Sequence, residues 1–288
     1  MSVIHDLGYR HYDGPRVGPR AVARALFLDS LRAAYGIGRT TKSKIMPAFL
    51  LTAMLLPPVI ISIVIATAKL DHLPGQYTDY VLKTQALTGL FVAAAAPASV
   101  SRDLRFRVVA LYFSRPLRRI EYVTAKYAAL ACAAFLLMAI PLTVMYAGAL
   151  LAKLPVSEQT PNFLRSLAGA AVTAVLIAGF ALTIAAMTPR RGVGVAAIIV
   201  SLTVLSGVGG SISSVGENNG ATSTAAYGAL CSPFTLAHGV QHSLFGGPYA
   251  FTYPPPGATG AAIFTAVAVA LGAGCFGLLI ARYRRVTI

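Results

Sequence analysis

Three groups of residues in this 288-residue chain have types and spacings from which chemistry is commonly made. The first is Gly36-Ile37-Gly38-Arg39-Thr40-Thr41-Lys42-Ser43, a near match to the phosphate-binding loop G-x-x-x-x-G-K-[ST]. That loop wraps phosphate with backbone amides, which requires glycine directly before the lysine. Thr41 stands there instead, and no apolar strand leads into the stretch. It reads as a basic, glycine-broken linker. The second group is His238 and His242, one helical turn apart, a spacing at which two imidazoles can share a zinc ion. Zinc-hydrolase chemistry needs a glutamate after the first histidine, and Gly239 occupies that place; Glu217 is the nearest acid and no third ligand stands out. A helix carrying two histidines, without metal, is the expectation. The third group, Cys132, Cys231 and Cys275, is widely spaced and contains no CxxC, so neither a disulfide framework nor a zinc site is indicated. His5, His11 and His72 are isolated. No catalytic residue, no metal and no cofactor in this chain is expected, and the protein is not expected to be an enzyme.

The elements that would hold these residues are dominated by apolar runs. Hydrophobic residues make up 56% of the chain and charged ones 11%, with a mean hydropathy of +0.70, which is too little charge to cover a soluble domain of this size. Crossing a bilayer takes about 20 mostly apolar helical residues. Six stretches qualify: 46–68, 84–101, 127–151, 166–187, 193–210 and 258–281. Strands of a membrane barrel would alternate over about 10 residues, so helices are the reading. Pro57, Pro58 and Pro141 are expected to kink the helices that contain them. Gly207, Gly209, Gly210, Gly272, Gly274 and Gly277 would let helices approach closely, within the chain or between copies.

Charge placement sets the orientation. Of 24 Lys and Arg residues, only Lys69, Lys83, Lys153 and Arg165 fall on one side of a six-crossing arrangement. The other twenty lie on the opposite side, which the positive-inside rule makes cytoplasmic, with both termini there. The net charge of +15 is thereby explained by the membrane and its anionic lipids, and nucleic acid is not expected as a partner. The first 44 residues hold eight Lys and Arg and no apolar core of signal-peptide type, so an uncleaved N-terminus in the cytoplasm is expected. Within them, 20–35 is amphipathic, with Leu26, Phe27 and Leu31 on one stripe, and suits an elbow helix lying in the membrane interface.

Two connections have character of their own. In 102–121, Leu104, Val108, Leu111 and Tyr112 recur at helical spacing until Pro116 stops the pattern. The outer segment 211–257 is long and nearly uncharged. Ser232 and Pro233 read as a helix cap followed by proline at the first helical position, opening a helix to about Leu244, with part of the segment re-entering or resting on the outer leaflet.

The crossing stretches contain no internal Asp, Glu, Lys, Arg or His, and Lys83, Lys126 and Arg165 lie close enough to their ends to reach water. Ion-coupled carriers keep such groups at depth, so a self-powered carrier or a channel with a charged filter is disfavoured. Energy must come from elsewhere.

At the second-to-third connection, Pro97-Ala98-Ser99-Val100-Ser101-Arg102-Asp103, then Leu111-Tyr112-Phe113-Ser114-Arg115-Pro116-Leu117-Arg118-Arg119, then Tyr122 and Lys126, resemble the cytoplasmic loop of ABC-2 type transporter permeases. Ser232-Pro233-Phe234, Leu244-Phe245-Gly246 and the N-terminal Ile4-His5-Asp6-Leu7-Gly8-Tyr9-Arg10 also resemble that family, the last its actinobacterial members. The resemblance implies an all-α integral membrane protein of the type V exporter fold, with six transmembrane helices, an elbow helix, a cytoplasmic coupling helix and a re-entrant or interfacial outer segment. It implies three parts: a cytoplasmic segment 1–44, a single membrane domain 45–281 and a tail 282–288. It further implies a permease subunit in the bacterial cytoplasmic membrane, paired with a second permease subunit, identical or paralogous. Separate ABC ATPase subunits would bind ATP and magnesium. In the family this loop docks on the ATPase, and carried over, Asp103, Leu111, Tyr112, Arg115, Pro116 and Arg118 are the coupling residues. Many members have a glycine and then a glutamate where this chain has Arg107 and Ala110, so its loop is more basic than theirs. The expected function is ATPase-driven export of an amphiphilic, lipid-like or drug-like compound. The alternative is a membrane scaffold or regulatory subunit that moves nothing.

Overall fold

The computed structural model describes residues 14, 18–101, 103, 117–188 and 190–285. Among these, every regular element is helical. Helix α1 spans Pro19–Ala34, α2 Thr41–Ala68, α3 Tyr77–Lys83, α4 Gln85–Ser99, α5 Arg119–Leu151 and α6 Val156–Met187. Helix α7 spans Arg191–Asn218, α8 Thr222–Tyr227, α9 Pro233–Phe245 and α10 Gly257–Arg284, with a 3-10 turn at Gly228–Leu230. Helices α2, α5, α6, α7 and α10 are each long and apolar enough to cross a membrane. The fold is therefore that of a multi-pass membrane protein.

Within the bundle, α5 and α6 form the centre: 61% of the most apolar window of each is buried, against 22% for α2, α7 and α10. Both helices are rich in buried alanine: Ala133 and Ala134 on α5, and Ala174, Ala178, Ala181 and Ala185 on α6, all belong to the core. Small residues let backbones approach in a setting where dispersion rather than water drives association. The outer helices carry unburied Phe49, Ile60, Ile63, Val200, Val204 and Val269, surface that suits hydrocarbon rather than water. Of the glycines expected to pack closely, Gly209 does, since an added Cβ would lie 2.7 Å from the Gly228 carbonyl oxygen. Gly207, Gly210, Gly274 and Gly277 meet nothing within 4 Å among their own chain's atoms.

Helix α1 turns into α2 through Gly36, whose φ of +71° suits glycine and whose Cβ, if present, would lie 2.5 Å from the Ser43 carbonyl oxygen. The buried side of α1 is Leu26 and Ser30, with Phe27 and Leu31 packed against the core. Tyr35, just beyond it, donates its hydroxyl to the Ala133 carbonyl of α5 at 2.7 Å, and burial pushes its ionisation upward.

Several expected boundaries move. The stretch 84–101 holds only α4; the short helix α3 precedes it and meets it at Thr84 with a bend of 53°. Helix α5 starts eight residues before the expected 127, α6 ten before 166, and α7 runs eight past 210. The outer segment is mostly helical, as α8, the 3-10 turn and α9 occupy it. Ser232 does precede α9, but its hydroxyl caps nothing; it meets the Ser206 hydroxyl of α7 at 3.0 Å.

Helix α2 continues through Pro57 and Pro58, and α5 through Pro141, without interruption. Pro58 has no N–H to give the Met54 carbonyl one turn back. The Tyr80 hydroxyl of α3 donates to that carbonyl instead. Tyr80→Phe is therefore expected to cost about 1–3 kcal/mol, the range for stranding a buried acceptor. Adding Pro58→Ala should return most of the loss by restoring a local donor. Thermal midpoints of the single and double variants in detergent check this; equal losses would exclude the repair.

Candidate functional site

The connection picked out by its residues leaves α4 after Ser99. Ser101 is buried and donates its hydroxyl to the Ala185 carbonyl of α6 at 2.8 Å. Two residues on, Asp103 turns inward. Its Oδ2 accepts the Tyr122 hydroxyl at 2.7 Å and lies 3.0 Å from Lys126 Nζ. Tyr122 and Lys126 are four apart on α5 and so project from one face. Lys126 Nζ also donates to the Ser99 carbonyl at 3.0 Å and stands 5.7 Å from the Tyr122 ring centre.

Lys126 does not reach for water as its place near a helix end suggests. Its side chain is 9% exposed and that of Asp103 18%. Stripping water from two charges is costly, and the geometry offsets the cost with a direct ion pair plus neutral hydrogen bonds to both partners.

The other end of the connection is fixed on the same helix. Arg118, exposed, precedes α5, and its backbone N–H donates to Glu121 Oε2 at 2.9 Å, closing the first turn. Arg119 Nη1 donates to the Arg284 carbonyl at 2.7 Å. The Tyr122 ring lies 5.1 Å from that of Tyr283, and Arg282 Nε donates to the Ala186 carbonyl at 3.2 Å. Thus the C-terminal ends of α4, α6 and α10 and the N-terminal end of α5 converge in one knot. Of the six residues expected to couple, Asp103 and Arg118 flank this knot, while Leu111, Tyr112, Arg115 and Pro116 lie outside the described residues. Tyr122 and Lys126, quoted above only as part of the resemblance, both bond to Asp103. Tyr283 and the Arg284 carbonyl have no sequence signal, because they meet α5 across as many as 165 residues of chain.

Beside the knot opens a cavity of about 870 Å³, lined in part by Ser30, Arg39, Lys42, Asp103, Lys126 and Arg191. The phosphate-loop-like stretch borders it, but Ser43 donates its hydroxyl to the Thr40 carbonyl at 2.7 Å, an ordinary helix start. The Ser30 hydroxyl is buried and has no hydrogen-bond partner among the described residues.

Far along the chain, His238 is buried, its ring stacked 5.0 Å from that of Tyr249. His238 Nε2 accepts the Ala250 backbone N–H at 3.1 Å, and His242 Nδ1 donates to the Gly247 carbonyl at 2.8 Å. The two histidines fasten the segment after α9 back onto that helix. Burial, and secondarily the nearby His242, lower the His238 pKa from 6.5 to about 4. No group of three or more His, Cys, Asp or Glu suited to a metal occurs among the described residues, and the three cysteines are free.

No family model matches the chain, and no curated protein matches it.

Proposed function

We propose that this chain is the membrane-spanning permease subunit of an ABC transporter, exporting an amphiphilic compound with energy from separate ATPase subunits. The observation that carries the reading is the knot beneath the connection between Asp103 and Arg118. Both flanking residues are bonded to α5, and the same place is bonded to α6 and α10. A partner that pushed on 104–116 would act on four helix ends at once. This is what a coupling segment requires, since coupling needs a contiguous packed route between two sites.

In this reading α3 and α4 together make one bent crossing, giving six, and α1 is the elbow at the cytoplasmic surface of a bacterial membrane. The basic helix ends gathered at the knot face the cytoplasm. A second permease subunit, identical or paralogous, completes the membrane part, and ATP and magnesium belong to the ATPase.

Co-expression with candidate ATPase subunits, followed by co-purification and ATP hydrolysis in lipid, tests the proposal. The expected result is a stable complex whose hydrolysis depends on the membrane subunit and loses most of that dependence in Arg115→Glu and in Pro116→Ala. If no ATPase co-purifies, or if both variants match wild type, the coupling assignment fails and a scaffold without transport is the better account.

A further inference from the structure

A second cavity, of about 350 Å³, lies at the other end of α7 from the knot. It begins at Ser206, fifteen residues past Arg191 and hence about 22 Å along the helix at 1.5 Å per residue. Its size is at the lower end of the range for small-molecule sites, about 300–1,000 Å³. Helix α7, the α3–α4 bend, the 3-10 turn and the segment after α9 enclose it.

The chemistry left free in this cavity is one-sided. Ser206 meets the Ser232 hydroxyl, Ser213 donates to the Ala225 carbonyl at 2.9 Å and Thr235 to the Ala229 carbonyl at 2.6 Å, so these hydroxyls are used within the protein. The lining side chains with polar groups outside these bonds are Gln85, Ser214, Glu217, Tyr249 and Tyr253. Glu217 has no ion-pair partner among the described residues, and neither Gln85 Oε1 nor the Tyr249 hydroxyl has a hydrogen-bond partner although both atoms are buried. Among the described residues no Lys, Arg or His lines the cavity, and Glu217 is the one formal charge they place there, in a chain of net charge +15. Tyr249, Phe251 and Tyr253 supply aromatic surface, the first two with ring centres 5.5 Å apart at 60°. His238, stacked behind Tyr249, is neutral at physiological pH and places no opposing charge there.

From this arrangement we infer that the cavity between α7 and the segment after α9 is a binding site for a small organic cation with an apolar body, such as a quaternary ammonium compound. Aromatic faces attract such cations through the ring quadrupole, most strongly when water is excluded, and a carboxylate at the rim adds charge attraction. An anionic compound would meet Glu217 with no compensating cation. As a statement about cargo, the inference rests on the permease reading; as a statement about binding, it stands alone.

Calorimetric titration of the full chain in nanodiscs of zwitterionic lipid tests it, with benzyltrimethylammonium as probe and benzyl alcohol and benzenesulfonate as neutral and anionic controls. Saturable binding of the cation alone is expected, with Kd about tenfold higher in Glu217→Gln and a comparable loss in Phe251→Ala. Glu217 is exposed, so its variant should keep the wild-type thermal midpoint. Absence of saturable cation binding, an unchanged Kd in Glu217→Gln, or equal binding of the controls would overturn the site. Any of those results alongside intact ATPase dependence removes the site and leaves the permease reading standing. Specific cation binding without any ATPase partner does the reverse.

Discussion

Lys126→Met is expected to lower stability by about 3 kcal/mol, near the low end of the cost of breaking a buried ion pair. The substitution keeps the volume and apolar stem of lysine but leaves Asp103 facing a thioether. Its carboxylate keeps the Tyr122 hydroxyl and is 18% exposed, which softens the loss. The Ser99 carbonyl loses its Lys126 donor as well. Combining Asp103→Leu with Lys126→Met removes both charges together and should recover most of the deficit, because two apolar groups leave nothing unpaired. Thermal unfolding in detergent of the single and double variants gives the comparison. Wild-type stability in Lys126→Met, or a double variant weaker than the single, would show that the pair does not hold the knot.

Acidification should loosen the segment that His238 holds against α9. His238 Nε2 accepts a backbone N–H, so protonating it sets two donors against each other. The folded-state pKa of about 4 lies below the ordinary 6.5, so the unfolded segment takes up the extra proton first. Stability contributed by neutral His238 is complete above pH 6.5 and declines as pH falls towards 4. At 1.36 kcal/mol per pH unit the total is about 3 kcal/mol. Hydrogen exchange of 246–256 should accelerate between pH 6.5 and 4.5, after correction for the intrinsic rate, and His238→Gln should flatten that response. Should His242→Gln flatten it instead, the second histidine governs the clasp.

Apolar content located the crossing segments because a bilayer demands about 20 such residues whatever the fold. It misplaced their ends because hydropathy stops at the first charge, whereas the backbone helix does not. Arg119, Glu121 and Lys126 sit inside α5, Glu158 inside α6 and Glu217 inside α7. Helix α3 was invisible: Tyr77, Thr78, Asp79 and Lys83 make it too polar for a span and too short for a periodic signal. At the candidate site, Asp103, Tyr122 and Lys126 stood out only through the resemblance of the connection to a known loop, and nothing in their spacing predicted that they bond to one another. That Asp103 points inward follows only from a pairing across 23 residues of chain. The clasp at His238 was hidden for the same reason, as its partner Ala250 comes from a segment that bends back after Gly246 and Gly247, both at positive φ.

The bond from Tyr80 to the Met54 carbonyl also bears on how the chain is made. Synthesis runs from the N-terminus, so Met54 leaves the ribosome 26 residues before the tyrosine that completes its helix. During that interval the carbonyl above Pro58 has no local donor, and lipid offers none. Helix α2 thus reaches its finished state only after α3 has been translated and has come alongside it. Completion of that helix therefore waits on the segment that follows it, and one hydroxyl group links the two steps.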